Sequence, residues 1–366
     1  MTENLQKNEM ADNLLLSIII PVYNLQEYIA RCLDSCLNQD IDSSMYEIIC
    51  VDDGSTDNTY QILDEYKSKY HNIKVLHKTN EGVVKTRNAG LSLASGKYVW
   101  FVDGDDWIQQ NCLKYLTYIA LDGNSDMLLF REKRVKEYCT EDVNFAEYTP
   151  QYFEGGYATA NDHYVTGSGF FWFSKRIIDE NNISFRPDVY YSDDTLFMAK
   201  FKPHVKRMCI TNALIYYYLQ RSDSVSHAVK AGLHCSCMYK LAKEYRELGK
   251  GKYENYGGED VSKRFRRSQG RAMQSCIRDL CFYCNDKEFV KSFLRRAKGE
   301  KLYPFVIDFK QFRLDKKQSL KLDMMNWFFG FTSFRPYFWM CWHLMRPVRK
   351  KIKQGNFNEE DFNDNF

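Results

Sequence analysis

Between residues 14 and 130 the apolar positions switch repeatedly between two periods. "LLLSIII" (Leu14 to Ile20) is a continuous apolar run closed by Pro21, the pattern of a strand buried on both faces. Helical spacing follows from Glu27 to Asn38. "YEIICV" then leads into Asp52 and a helix over Asn58 to Tyr70, and "IKVLH" leads into a helix from Gly82 to Ala94. "YVWFV" runs into Asp103 with a helix over Asn111 to Ala120, and "DMLLF" predicts a fifth strand. Four strand-then-helix units in this order predict a mostly parallel, Rossmann-like α/β sheet with flanking helices and right-handed crossovers. Residues 131 to 165 show no usable period. Beyond them "GSGFFWFSKRIIDENNISF" reads as a short strand, a helix and a turn, "ALIYYYLQR" reads as a strand, and "SDDTLFMAKF" starts a helix with Ser192 as its N-cap.

Polar residues collect where the first four strands end: "PVYN", "DDGSTDN", "NEGVVKTRN" and "DGDD". Ligands of open α/β sheets bind outside the carboxyl ends of the strands, so the decorated edge is the candidate site. Asp103, Asp105 and Asp106 repel one another unless a cation offsets them, and hard oxygen ligands suit Mg²⁺ or Mn²⁺ bridging to phosphate. One of Asp52 and Asp53 is expected to face the site while the other caps or pairs. Lys85 and Arg87 stand in the first turns of a helix whose amino end favours anions. Carboxylates, cations and a helix N-terminus on one edge describe a nucleotide-diphosphate site.

In this order and spacing, "SIIIPVYN", "VDDGSTDNT", "NEGVVKTRNAG" and "FVDGDDW" resemble the signature of family 2 glycosyltransferases of the GT-A fold. The likeness is dense over residues 15 to 110 and looser to 226, through "FWFSKRIIDENNISF", "YYSDDTLFMAKF" and "YYYLQRSDSVS". The resemblance implies inverting transfer of a sugar from a nucleotide diphosphate, expected to be a UDP-sugar, to an acceptor hydroxyl. Pro21, Val22, Tyr23 and Asn24 then line the nucleoside pocket, with Asp53 and the adjacent Asp52 on the base. Gly82, Lys85 and Arg87 lie near base and phosphates, and Arg221 with the serines of "SDSVS" on the phosphates. Asp103 faces ribose or sugar and shares the metal with Asp105, while Asp106 supports them or caps a helix. Asp194 is the implied general base. Asp193 stands where the family usually has Glu, so its part in catalysis is the less defined of the two. His227 is either a further metal ligand or an ordinary surface histidine.

Composition adjusts this picture. The chain of 366 residues is 44% hydrophobic, enough for a large core. Of its twelve cysteines, Cys32, Cys50, Cys112, Cys209 and Cys276 sit singly in apolar or helical patterns and "CFYC" is a lone CxxC, so reduced packing thiols are expected rather than a disulfide framework. The polar start "MTENLQKNEMADN" lacks the order of a signal peptide, and a cytoplasmic location is expected. The net charge of +3 hides an asymmetry, since Cys235 to Lys353 holds 28 Lys+Arg against 12 Asp+Glu. Over residues 324–353, Trp327, Phe328, Phe331, Phe338, Trp339 and Trp342 precede Arg346, Arg349, Lys350, Lys351 and Lys353. Arg335 and Pro336 break this stretch, so it suits an interfacial anchor on the inner face of a membrane rather than a span. "KRFRR" (Lys263 to Arg267) is expected on the same surface.

The expected organisation is a disordered polar start (1–13), a catalytic GT-A domain (14–228), a basic helical region (229–353) and an acidic tail (354–366). Expected partners are a nucleotide-sugar donor and a saccharide acceptor, free or lipid-linked, in cell-surface polysaccharide or glycan synthesis. No nucleic-acid module is present. A dehalogenase-type phosphatase would place its acidic pair after the first strand, and a nucleotidylyltransferase would need a Gly-rich loop there; "PVYNLQEY" is neither. The non-enzyme alternative is a membrane-surface scaffold or binding subunit that keeps the fold without the chemistry.

Overall fold

The computed structural model of the chain describes residues 14–154, 171–221, 230–251, 261–303, 305 and 335–346. The polar start, "SDSVS", His227 and the acidic tail lie outside them. The chain divides into two compact units, Met1–Ser222 and Asp223–Phe366.

In the first unit nine strands are described: β1 (Leu16–Val22), β2 (Tyr46–Asp52), β3 (Ile73–His77), β4 (Tyr98–Phe101), β5 (Trp107–Ile108), β6 (Met127–Val135), β7 (Gln151–Glu154), β8 (Phe171–Ser174) and β9 (Arg207–Leu219). They form one sheet in the order β3-β2-β1-β4-β8-β6-β9-β5, with β7 added on β9. Its helices are α1 (Ile29–Leu37), α2 (Thr59–Lys69), α3 (Val83–Leu93), α4 (Leu113–Asp122), α5 (Lys175–Glu180) and α6 (Asp193–Phe201). The β3-β2-β1-β4 block is parallel, as is the β6–β9 pair, while β8 is antiparallel to β4 and β6. Every residue of β1 and β2 is buried, as continuous apolar runs demand. α1 buries Ile29, Cys32, Leu33 and Cys36, the i, i+3, i+4, i+7 stripe that sequence spacing predicted.

Three sequence expectations need correction. β1 does not stop at Pro21 but runs through it to Val22. Val102 N–H bonds to Ile19 C=O and Asp53 N–H to Val22 C=O, so Pro21 faces the β4 side, where β4 has already ended. Its missing N–H therefore costs no ladder bond. The stretch from 131 holds the second half of β6, joined to β9 through a register shift, and the edge strand β7. Exposed charges in "REKR" hid the first, and a four-residue strand is too short to show a period. Ser192 precedes α6 but does not cap it through its side chain; it sits in the left-handed region at φ 64°.

The second unit contains α7 (Ala231–Leu248), α8 (Val261–Tyr283), α9 (Lys287–Gly299) and α10 (Arg335–Leu344). Cys235 on α7 and Cys276 on α8 are buried and exchange S–H contacts with each other's carbonyls at 3.6 and 3.3 Å. All twelve cysteines are free thiols and Cys281 and Cys284 are buried. In the described part of the expected anchor, Phe338, Cys341 and Trp342 are buried, and α10 packs on α8. Tyr337, Met340 and Leu344 are the large apolar residues left exposed. In "KRFRR", Arg264 and Phe265 are buried, so only part of that run faces solvent. Among the described residues no helix is long and apolar enough to cross a membrane.

Gly90 is where α3 meets the sheet, since a Cβ there would lie 2.3 Å from Ile19 Cγ2. Gly90→Val is expected to destabilise the first unit by about 2–3 kcal/mol through overpacking. Thermal unfolding should read this as a fall of roughly 5–10 °C in the midpoint. An unchanged midpoint would refute so close a contact.

Candidate active site

The strand order reverses direction between β1 and β4: β2 and β3 extend to one side, and the chain then returns to place β4 on the other. A crevice outside the carboxyl ends is expected at such a switch point. The loop after β1 and the Asp103–Asp106 turn after β4 meet there. Gly104 makes the approach possible, because a Cβ would come within 2.8 Å of Leu25 Cδ1 and 3.3 Å of the Pro21 carbonyl. Tyr23 in the first loop is about half exposed. Asn24, at φ 51°, accepts from Thr56 N–H (2.8 Å) while its own N–H bonds to Ser55 Oγ (2.9 Å). The loops after β1 and β2 are thereby tied together.

Polar residues on α1 hold the acidic turn from behind. Arg31 Nη2 donates to the Asp105 carbonyl (3.0 Å), Ser35 Oγ accepts from Ile108 N–H (3.1 Å), and Gln39 Oε1 accepts from Cys112 and Leu113 N–H (2.9 and 3.1 Å). Positions 31, 35 and 39 follow one another at four-residue spacing, which puts them on one face of the helix and its extension. That satisfies backbone groups of an irregular segment that carries three carboxylates.

Those carboxylates separate completely. Asp106 is buried, and its oxygens accept from Tyr216 O–H (2.6 Å) and Leu219 N–H (2.7 Å), which fastens the turn to β9. Tyr216 O also accepts from Asp103 N–H (3.1 Å). Burial, then the charges of Asp103 and Asp105, push the Asp106 carboxyl well above the usual range. Asp105 faces Arg221, with Oδ2 at 3.2 Å from Nη1. Burial and the Asp103 charge raise its pKa, and Arg221 offsets part of this. Asp103, with 42% of its side chain exposed, bonds to Arg87 Nη2 at 3.0 Å.

Arg87 joins the two halves of the site. Its other terminal nitrogen lies 2.7 Å from Asp193 Oδ2, at the start of α6. Asn88 next to it exchanges bonds with the Phe185 backbone (2.8 and 2.9 Å), a second tie between α3 and the segment leading to α6. Burial works against the Arg87 charge, but Asp103, Asp193 and Asp194 together keep its pKa raised. Beside it, Asp194 Oδ1 accepts from Thr195 N–H (2.6 Å). Burial and the neighbouring Asp193 push the Asp194 pKa up to about 7, against the pull of Arg87. A carboxylate poised there suits proton abstraction near neutral pH.

The remaining expected site residues divide. Pro21 and Val22 end β1 under the first loop. Asp52 is 1% exposed; its oxygens accept from Ser55 N–H (3.0 Å) and contact His77 Nδ1 (2.9 Å), so it fixes the loop. Asp53 is also buried, accepts from Glu81 and Gly82 N–H (2.9 and 2.8 Å), and pairs with Lys78. Burial alone would raise its pKa, but these donors hold it lowered. Neither acid therefore stands open at the edge as expected for one of them. Gly82, at φ 91°, uses a conformation that favours glycine and packs near the Tyr190 ring. Lys85 parts from Arg87: it is half exposed and pairs with Glu81 at 2.9 Å rather than with the acidic turn. Sequence reasoning missed Arg31, Lys78 and Tyr216. The four-residue polar spacing on α1 was a visible signal for the first; long-range pairing left none for the others.

Among the described residues no three or more His, Cys, Asp and Glu side chains are arranged to hold a metal ion. The fit to a divalent cation rests on Asp103 and Asp105, a partly open pair in which burial and like charge disfavour ionised Asp105. A cation there would relieve that repulsion, so the donor set suits Mg²⁺ or Mn²⁺ completed by phosphate oxygens. A separate polar cleft of about 560 Å³ between Gln109–Asn111 and residues 140–146 contains none of these residues.

The sheet thus carries paired carboxylates at its switch point, with a near-neutral acid beside them. Residues 17–181 match the model of glycosyl transferase family 2. Over 210 residues the chain is 32% identical to a poly(ribitol-phosphate) β-glucosyltransferase of Bacillus spizizenii, covering 57% of this chain and 32% of that protein. Over 235 residues it is 30% identical to the poly(ribitol-phosphate) β-N-acetylglucosaminyltransferase TarS of Staphylococcus aureus, covering 63% of this chain and 39% of TarS. The chain thus matches only about a third of these relatives' length. The crystal structure of S. aureus TarS 1–349 in complex with UDP-GlcNAc superposes with a TM-score of 0.62 at 24% identity, over 94% of this chain and 93% of that one. At that identity the likeness establishes the GT-A fold.

Asp106→Ala would leave the Tyr216 hydroxyl and Leu219 N–H buried without their acceptor. The expected loss is about 2–5 kcal/mol of stability, measured by denaturant unfolding. A wild-type unfolding curve would show that Asp106 does not fasten the turn.

Proposed function

We propose that the protein is an inverting, metal-dependent glycosyltransferase that moves a sugar from a UDP-sugar to a hydroxyl of a cell-surface polysaccharide or glycan. The single observation that carries this reading is Arg87 bridging Asp103 and Asp193, which ties the donor-side turn to the helix bearing Asp194. A donor carboxylate and a near-neutral base on one rigid frame are what a single displacement needs. UDP-GlcNAc is the first donor to try, because the TarS complex of the same fold holds it. The polyol-phosphate acceptors named for the two relatives are the first acceptors.

In this reading the Pro21–Asn24 loop, Gly82 and the Asp52–Asp53 frame shape the nucleoside pocket. Asp103 and Asp105 would hold Mn²⁺ or Mg²⁺, which when bound stabilises charge on the departing diphosphate. Arg221 stands beside Asp105 to meet the phosphates, and Asp103 faces the ribose or sugar. Asp194 takes the acceptor's proton as its oxygen bonds to the anomeric carbon and the bond to the diphosphate breaks. Asp193, held by Arg87, keeps the second carboxylate aligned beside the base. We further place the enzyme at the inner face of the membrane, acting on an acceptor that is lipid-linked. The basic balance of residues 235–353 and the exposed Tyr337, Met340 and Leu344 support that placement.

UDP release from UDP-GlcNAc with Mn²⁺ and a polyol-phosphate or saccharide acceptor tests the reading, and Asp194→Asn should lower kcat by ~10²–10⁴. No turnover with any UDP-sugar, unchanged by Asp105→Ala, would favour the scaffold instead. The base works only when ionised, so with a pKa of about 7 the activity must fall as pH drops through neutrality. The limb should lose about tenfold in kcat/KM per pH unit below it. A flat profile down to pH 5 would remove Asp194 from that role.

A further inference from the structure

Arg31, which holds the acidic turn through the Asp105 carbonyl, has aromatic neighbours in Trp107 and Tyr138, and Tyr28 lies under the arginine that meets the Asp105 carboxylate. Tyr28 sits at the start of α1, and the Arg221 guanidinium lies over its ring at 4.5 Å from the centroid. The same guanidinium reaches Asp105 Oδ2 at 3.2 Å. Three residues on, Arg31 donates to the Asp105 carbonyl and lies over the Trp107 ring at 4.4 Å, with Tyr138 at 5.4 Å. Trp107 is fixed in turn: its Nε1–H bonds to the Cys139 carbonyl (2.9 Å), and its ring stacks on Tyr217 at 5.4 Å. Arg31 Nε is buried with no hydrogen-bond partner, so ring faces supply much of what holds this guanidinium. Asp105 is gripped twice, at its carbonyl by Arg31 and at its carboxylate by Arg221, and each guanidinium rests on an aromatic ring.

We infer that Tyr28 and Arg31 are positioning residues of the donor site, setting the backbone and the arginine partner of Asp105 for a cation-bound nucleoside diphosphate. The inference rests on the donor reading above. An arginine already laid on a ring gives up less conformational freedom when it meets phosphate, and a tethered carbonyl keeps the acidic turn from relaxing under its own repulsion. Loss of either contact should therefore appear in donor binding before it appears in the chemical step.

The experiment titrates UDP with Mn²⁺ into full-length protein by calorimetry, alongside donor KM and kcat. Tyr28→Phe, which keeps the ring, should bind as wild type. Tyr28→Leu and Arg31→Met should each weaken UDP binding by about tenfold, as expected for a desolvated cation–π contact. Their kcat at saturating donor should stay within about twofold of wild type, since uniform binding is what is removed. Where Arg31→Met unfolds early, Arg31→Lys carries the test, keeping the charge without the flat stack, and should show the same loss. Wild-type binding by Tyr28→Leu and the Arg31 variants, or equal losses in Tyr28→Phe and Tyr28→Leu, overturns the inference. If wild type itself binds no UDP with Mn²⁺, the donor reading falls and takes the inference with it.

Discussion

A guanidinium with little access to water, lying between carboxylates from distant parts of the chain, is the interaction on which the site depends. Arg87 meets Asp103 at 3.0 Å and Asp193 at 2.7 Å, with Asp194 close enough to influence it. Without that charge, the acidic turn after β4 and the acidic start of α6 would repel one another across a poorly solvated edge. With it, one side chain sets the spacing between the two. The same charge restrains the rise in the Asp194 pKa that burial and Asp193 cause, leaving that acid near neutrality. Fold and chemistry thus share one constraint.

The rest of the first unit keeps that arginine and its partners still. α3 is pressed onto β1 at Gly90 and tied to the Phe185 backbone through Asn88. Asp53 gathers the N–H groups of Glu81 and Gly82, which fixes the loop from which α3 starts. On the far side α1 supports the acidic turn, and Asp106 bolts it to β9 through Tyr216. Left-handed Asn24 and Ser192 border the site, at φ 51° and 64°, and bonds to Ser55 and Thr56 hold Asn24 in place. Buried Asp52, Asp53 and Asp106 hold the frame around the more open Asp103.

Local pattern was enough to read β1 to β4 and α1 to α4, because each is a run whose period shows which face is buried. It also located the reactive edge, since four strand ends carried polar residues in register. Charge and composition separated the acidic first unit from the basic second one. The edge strands β5 and β7 could not be read, being two and four residues long, and the charged half of β6 looked like a loop because its pairing partner lies some 80 positions away.

The roles of neighbouring, chemically identical residues were decided only by tertiary structure. Asp103, Asp105 and Asp106 are equivalent in sequence, but β9 claims Asp106, Arg221 meets Asp105 and Arg87 meets Asp103. Lys85 and Arg87 look like a pair, yet two positions on a helix differ by about 200° and face different ways. Asp52 and Asp53 are adjacent and both buried, yet Asp52 accepts from Ser55 N–H while Asp53 gathers Glu81 and Gly82 N–H and pairs with Lys78. Sequence by itself determined the strand pattern, the acidic edge and the family resemblance, because these follow from local periodicity and motif order. Which carboxylate is held and which is bridged depends on partners that only folding assembles: Tyr216 and Leu219 for Asp106, Arg221 for Asp105, and Arg87 between Asp103 and Asp193.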